Sequence, residues 1–138
     1  MSQPYKGGCA CGAIRYEISD EPMAMVDCQC RQCQQRSGTG HGSYLTFPNI
    51  KNVKVTGKAT LWSVAADSGN MKTHGFCPAC GTPVHVSFAA APHLFTIHAG
   101  SLDDPGRYKP QIVTYRGRGL AWDRIDPALP HFDGMPPM

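Results

Sequence analysis

The 138-residue chain carries seven cysteines, and none of them stands alone. Cys9-Ala10-Cys11, Cys28-Gln29-Cys30-Arg31-Gln32-Cys33 and Cys77-Pro78-Ala79-Cys80 hold two, three and two thiols. An odd number cannot pair completely into disulfides. Residues 1–8, MSQPYKGG, lack the apolar segment of a signal peptide, so a reducing, cytoplasmic compartment is expected. Short spacings deliver thiols to a common point, as a tetrahedral metal requires. With zinc–sulfur bonds of about 2.3 Å, neighbouring sulfurs lie about 3.8 Å apart. Metal is therefore expected to organise this fold.

Phe76-Cys77-Pro78-Ala79-Cys80-Gly81 is the strongest local signal. Pro78 presets φ after the first thiol, and Gly81 can take positive φ after the second. Such a knuckle aims backbone N–H groups at thiolates. A thioredoxin-type redox pair has the same spacing but belongs in an alternating strand–helix setting, which this sequence lacks. Cys9 and Cys11, read as part of an extended segment, point to one face. Two buried structural thiols are the alternative for that pair, and the flanking Gly7, Gly8 and Gly12 favour metal over it. The simplest partition keeps each pair intact and joins the first to the last as a four-sulfur site.

Cys28, Cys30 and Cys33 form a different group. Cys28 is expected to end a strand over 23–27, and residues 31–36 to make one or two helical turns. Cys30 and Cys33 then share a face, and a helix start favours thiolates. Three thiols leave tetrahedral zinc one ligand short, which marks a catalytic rather than a closed site. Asp27, His41 or His74 could instead supply the fourth ligand. His85, just after the knuckle, is a further histidine placed to face a metal.

Apolar alternation predicts strands at 13–18, 43–47, 53–56, 60–64, 84–88, 94–99 and 111–115. Turn signals separate them, among them Asp67-Ser68-Gly69-Asn70 and Asp103-Asp104-Pro105-Gly106. The reading is a mainly β fold of antiparallel sheets in a single domain over 1–138, with an irregular tail over 127–138. No run of about 20 apolar residues is present, so no membrane-spanning helix is expected. Five basic residues (Arg107, Lys109, Arg116, Arg118 and Arg124) are interleaved with Tyr108, Tyr115 and Trp122. Without a block of like charge this reads as a solvated face over packed aromatics, not a nucleic-acid surface. No P-loop, G-x-G-x-x-G or G-x-S-x-G motif occurs.

Gly8-Cys9-Ala10-Cys11-Gly12 with Ile14-Arg15-Tyr16-Glu17, the Cys28–Cys33 triple, FCPACGTP over 76–83 and Gly100-Ser101-Leu102-Asp103-Asp104-Pro105 together resemble a known family. These motifs are similar to those of glutathione-dependent formaldehyde-activating enzymes and their centromere protein V relatives. The likeness runs from about Gly8 to Phe132. It implies a mainly β fold of antiparallel sheets around zinc knuckles, similar to that of the Rab-exchange-factor zinc proteins. It also implies Cys9, Cys11, Cys77 and Cys80 around a structural zinc, and Cys28, Cys30 and Cys33 around a second, catalytic zinc. The implied reaction joins glutathione to formaldehyde, a carbon–sulfur lyase reaction run in reverse. Many relatives carry His where this chain has Gln29, and His in the strand that here reads Pro110-Gln111-Ile112-Val113-Thr114.

Three thiolates donate strongly and lower the Lewis acidity of zinc, which makes binding a substrate thiol more natural than activating water. Zinc lowers a thiol's pKa and so presents a nucleophile at neutral pH. The expected function is therefore an enzyme acting on a thiol and a small carbonyl. A zinc-stabilised binding module for protein or nucleic acid is the alternative, and a redox or metal sensor is a third. The formal charge of +3 treats the cysteines as neutral. Seven thiolates contribute −7 and two zinc ions +4, which brings the metallated chain to zero and removes the apparent attraction to anionic macromolecules.

Overall fold

The computed structural model describes residues 3–136. Ten strands and one α-helix follow in chain order: β1 (Tyr5–Gly8), β2 (Arg15–Ile18), β3 (Ala24–Cys28), α1 (Arg31–Ser37), β4 (Gly42–Phe47), β5 (Val53–Thr56), β6 (Thr60–Ala65), β7 (Met71–Phe76), β8 (Pro83–Phe88), β9 (Phe95–His98) and β10 (Ile112–Thr114). They build a three-stranded sheet, β1-β2-β5, and a seven-stranded sheet, β10-β3-β4-β9-β8-β7-β6. The fold class is mainly β, as the alternation predicts.

Every expected strand is present with shifts of a residue or two at its ends. Two strands carry no apolar alternation. β1 is half glycine, Tyr5-Lys6-Gly7-Gly8. In β7 the buried positions are Lys72, His74 and Gly75, so an inward-facing strand reads as polar. One pairing departs from the antiparallel expectation: β10 lies parallel to β3, with Ile112 opposite Val26 and Thr114 opposite Cys28. A parallel pair needs a long crossover, and the chain supplies it by building β4 to β9 in between. The tail is not loose over its described part. Val113 N–H donates to Pro130 O at 2.9 Å and Phe132 N–H to Val113 O at 3.0 Å, so the tail covers the β10 edge.

β4 shows why the two cysteine groups lie apart. Its residues alternate between the faces of the larger sheet. Leu45 and Phe47 enter a core shared with the small sheet, packed with Tyr5, Ile14, Tyr16, Ile18, Phe95 and Ile97. Cys9 and Cys77 belong to that core. Tyr44 enters a second cluster with Cys28, Cys30, Cys33 and Val86, against which Phe88 and Tyr115 pack. One cysteine group thus sits in the seam between the sheets, and the other on the outer face of the larger sheet.

In the basic C-terminal region Lys109, Arg116, Arg118 and Arg124 are exposed, and Trp122 is exposed too rather than packed beneath them as expected, whereas Arg107 and Tyr108 are tied into the fold. The Arg107 guanidinium lies 3.5 Å from the Tyr5 ring centroid and donates to the carbonyls of Pro4 and Gln3, each at 3.0 Å. Tyr108 donates to Asp27 at 2.7 Å.

His98 is buried opposite Tyr44 with ring centroids 4.9 Å apart. Burial, with the neighbouring His74 and His85, pushes its pKa down to about 4 from 6.5. Between these values the unfolded chain takes a proton that the folded chain refuses. Stability is therefore lost as pH falls from 6.5 to 4, by about 3 kcal/mol for a shift of this size. His98→Leu is expected to flatten the fall in thermal midpoint over that window. Identical slopes for variant and wild type would show that His98 is not its source.

Candidate metal centres

The first group is assembled by two turns. After β1 the chain does not continue extended, as the alternation argument supposed. Cys9 N–H donates to Ile14 O at 3.1 Å and Gly12 N–H to Cys9 O at 3.2 Å. Closing this tight turn lets the Ile14 amide donate to Cys9 Sγ at 3.2 Å. The second turn links β7 to β8. Gly81, at φ +79°, donates its N–H to Cys77 O at 2.8 Å. The Ala79 and Cys80 amides point at Cys77 Sγ from 3.4 and 3.5 Å. Thr82 ties the turns together, accepting from the Ala10 amide at 3.1 Å with its hydroxyl 3.2 Å from Cys80 Sγ.

The four sulfurs lie within 4.8 Å of one another and could hold a metal ion. Cys9 Sγ is 3.6 Å from Cys11 Sγ, and Cys11 Sγ is 3.7 Å from Cys77 Sγ. These are the separations of sulfurs around one tetrahedral zinc. Cys9 and Cys77 are buried, while Cys11 and Cys80 face outward. The Thr82 hydroxyl and amide hold the Cys80 thiol down, to about 5. At Cys11 the Ala13 amide favours the thiolate, but the sulfurs of Cys9, Cys77 and Cys80 outweigh it and push the thiol up to about 11. Four thiols gathered without a cation repel each other's ionisation, and a divalent cation relieves that conflict.

The second group forms where β3 runs into α1. Cys28 ends the strand. Cys30 caps the helix, its sulfur accepting the Cys33 amide at 3.2 Å. Cys33 lies in the first turn with its sulfur 2.9 Å from that of Cys30. Gly38, at φ +74°, ends the helix. The three sulfurs lie within 4.8 Å of one another, and all three residues are buried. Hydrogen bonds from Cys28 and Cys33 draw the Cys30 thiol far down, whereas Cys28 and Cys30 together drive the Cys33 thiol up. Tyr44 folds back over Gly42, where a side chain would overlap its phenol. Gly42 is the register partner of Cys28, so the Tyr44 ring rests beside the three sulfurs.

None of the three residues considered as a fourth ligand joins the cluster. Asp27 accepts from Ser43 and Tyr108, each at 2.7 Å. His41 Nδ1 lies 2.9 Å from the Asp123 carboxylate, with Nε2 3.8 Å from Asp27. His74 is buried and stacked on Trp62 at 5.9 Å, with neither ring nitrogen hydrogen-bonded. His85 packs against Gly75 and Phe95 and is a member of neither cysteine group. Tyr44 and the Asp27–His41–Asp123 chain carried no spacing signal in the sequence.

The sequence profile described as glutathione-dependent formaldehyde-activating enzyme matches residues 4–118. The chain belongs to this formaldehyde-activating enzyme family. The match contains both cysteine groups, so the centres described above lie in the family's shared region. The chain is also similar to the crystal structure of a Rhodobacter sphaeroides protein solved as a structural-genomics target. That similarity has a TM-score of 0.56 at 23% identity and covers 71% of this chain and 87% of the other, so it bears on the fold. Gln29 is buried and donates through Nε2 to Asp123 at 3.2 Å. It ties the cysteine loop to the carboxylate that holds His41. Among the described residues, no helix is long and apolar enough to cross a membrane.

Proposed function

We propose that the chain, as a single zinc-binding unit over 1–138, makes or breaks a carbon–sulfur bond between a glutathione-type thiol and a small carbonyl such as formaldehyde. This is a carbon–sulfur lyase activity, and no membrane or nucleic-acid partner is part of it. Cys9, Cys11, Cys77 and Cys80 hold a structural zinc. Cys28, Cys30 and Cys33 hold a second zinc at the reacting centre. Zinc bound there acidifies a thiol S–H at neutral pH.

The observation that carries the reading is the three-sulfur set itself. Its sulfurs converge in a buried cluster, and no fourth His, Cys, Asp or Glu donor joins them among the described residues. Val86, Phe88 and Tyr115 wall the cluster with apolar surface that limits water. Tyr44 stays protonated beside it, because burial and then the Cys33 sulfur push its pKa well above 10. It is a fixed hydrogen-bond donor for an oxygen that gains charge. In the forming direction a sulfur–carbon bond is made, the carbonyl π pair moves onto oxygen, and that oxygen takes the proton released by the thiol. The reverse returns the proton to sulfur as the bond breaks.

The test is glutathione titrated into cobalt-substituted protein carrying two metals per chain. A change in the ligand-field bands of one of the two ions is expected, reversed when glutathione is dialysed away. No spectral change with glutathione or any smaller thiol would leave a zinc-stabilised binding module as the better reading.

A further inference from the structure

Gln29 stands between two cysteines of the three-sulfur centre and is 2% exposed. Its backbone is held from two sides. Its N–H donates to Thr114 O in β10 at 2.9 Å, and its carbonyl accepts from Gln34 Nε2 in α1 at 3.0 Å. A third segment holds the side chain. Nε2 donates to Asp123 Oδ2 at 3.2 Å, while Oε1 is buried without a donor. A buried amide satisfied on one side only is costly, and an apolar side chain of similar size carries no such cost. The carboxylate also dictates which way the amide points, because a flipped amide would set oxygen against oxygen.

Asp123 comes from a turn after β10, closed by its N–H donating to Leu120 O at 3.0 Å. Trp122 and Arg124 on either side of it are exposed, but the Asp123 side chain turns inward and is only 8% exposed. Gly40 makes room for it, since a side chain there would overlap the Asp123 carboxylate. The same carboxylate holds His41 Nδ1 at 2.9 Å, and His41 Nε2 faces Asp27 across a looser 3.8 Å. Asp27 and Gln29 are the two residues that flank Cys28. The chain of polar contacts therefore starts on one side of this cysteine and ends on the other. Asp123 itself lies past residue 118, where the family's shared region ends.

We propose that Asp123 is a positioning residue for the three-cysteine centre. Through Gln29 it fixes the link between β3 and α1, so that the Cys28 and Cys30 sulfurs converge before a metal arrives. Cys33 needs no such aid, because α1 carries it. This rests on the reading that the three cysteines hold zinc. Groups that orient the ligands of a metal site govern its affinity although they touch no metal. The competing role is a structural pin, in which Asp123 only holds the C-terminal segment against the larger sheet. A pin changes the thermal midpoint and treats the two metal centres alike. A positioning residue changes one centre and spares the other.

The experiment measures zinc affinity at both centres by competition with a chromophoric chelator, on wild type, Asp123→Ala, Asp123→Asn and Gln29→Leu. Asp123→Ala and Gln29→Leu are each expected to weaken the three-cysteine centre about 10- to 100-fold and to leave the four-cysteine centre unchanged. Asp123→Asn keeps an acceptor for Gln29 and can donate to His41 Nδ1 in the other ring tautomer, so most of the affinity should return. The double variant Asp123→Ala/Gln29→Leu should be no weaker than the weaker single one, because both remove the same contact. Cobalt-loaded Asp123→Ala should show altered ligand-field bands at the three-cysteine centre alone. Should Asp123→Ala not fold, Gln29→Leu decides by itself, since it leaves the Asp123–His41 contact in place. Unchanged affinity at the three-cysteine centre, or equal weakening at both centres, would overturn the proposal. Wild type separates this failure from that of the parent reading. One zinc per chain would end both, whereas two zincs without a response to glutathione would end the thiol chemistry and leave the positioning role to the affinities.

Discussion

Cys77→Ser is expected to cost the protein its fold as well as a metal. Cys77 is 1% exposed in the seam between the two sheets, in the same core as Ile14, Tyr16, Leu45 and Phe47. The Cys77 turn and the Cys9 turn belong to different sheets, and a metal held by their four sulfurs would fasten one to the other. A structural zinc contributes on the order of 10–16 kcal/mol of apparent binding free energy. A whole domain is stable by only about 5–15 kcal/mol. Removing one of four sulfurs from a buried set therefore consumes most of the margin. The expected result is loss of the structural zinc and of a cooperative thermal transition, read by metal analysis and circular dichroism. Chelation of wild-type protein at neutral pH should give the same unfolding without any substitution. A variant that keeps two metals and its thermal midpoint would show that the sheets need no such tie.

The contrast between the two centres comes from the larger sheet. β4 sends Leu45 and Phe47 to one face and Tyr44 to the other. One cysteine group is placed where a metal would join the two sheets, the other on the outer face of the larger sheet beside α1. The same metal chemistry can then hold the fold in one place and stay open to a substrate in the other. Formal charge follows this division. The four-sulfur site with zinc carries two net negative charges and the three-sulfur site one. The second site has a buried lysine facing it.

Sequence spacing made the two cysteine groups legible because thiols two or three positions apart must reach a common point, whatever the turn. The turn itself was less legible: Cys9 and Cys11 meet through a closed loop ending at Ile14, not through extended alternation. Strands whose inward residues are apolar, such as β2 and β4, were readable from their period. β7 was not, because its inward residues include Lys72 and His74 and these face the candidate site. Failure of the pattern there coincides with polar groups placed where function would use them. The chain Asp27–His41–Asp123–Gln29 was invisible for another reason. His41 and Asp123 lie 82 positions apart and meet only in the folded chain. No local rule reports such a contact.

Cys30→Ala is expected to separate chemistry from stability. Cys30 is buried, but its neighbours are α1 and the outer face of the larger sheet, not the seam. Its sulfur caps α1 through the Cys33 amide, and losing a cap costs roughly 0.5–2 kcal/mol. That loss is small beside the metal that joins the two sheets, so the fold should survive. Two sulfurs remain at the second centre, too few for a tight zinc site. Metal content should fall from two per chain to one, and the spectral response of cobalt-loaded protein to glutathione should disappear. Cys30→Ser supplies a better cap through its hydroxyl, so its thermal midpoint should lie above that of Cys30→Ala while its metal content matches. Global unfolding of both variants would mean that the second centre is structural like the first. Retention of both metals with an unchanged glutathione response would remove Cys30 from the reacting centre.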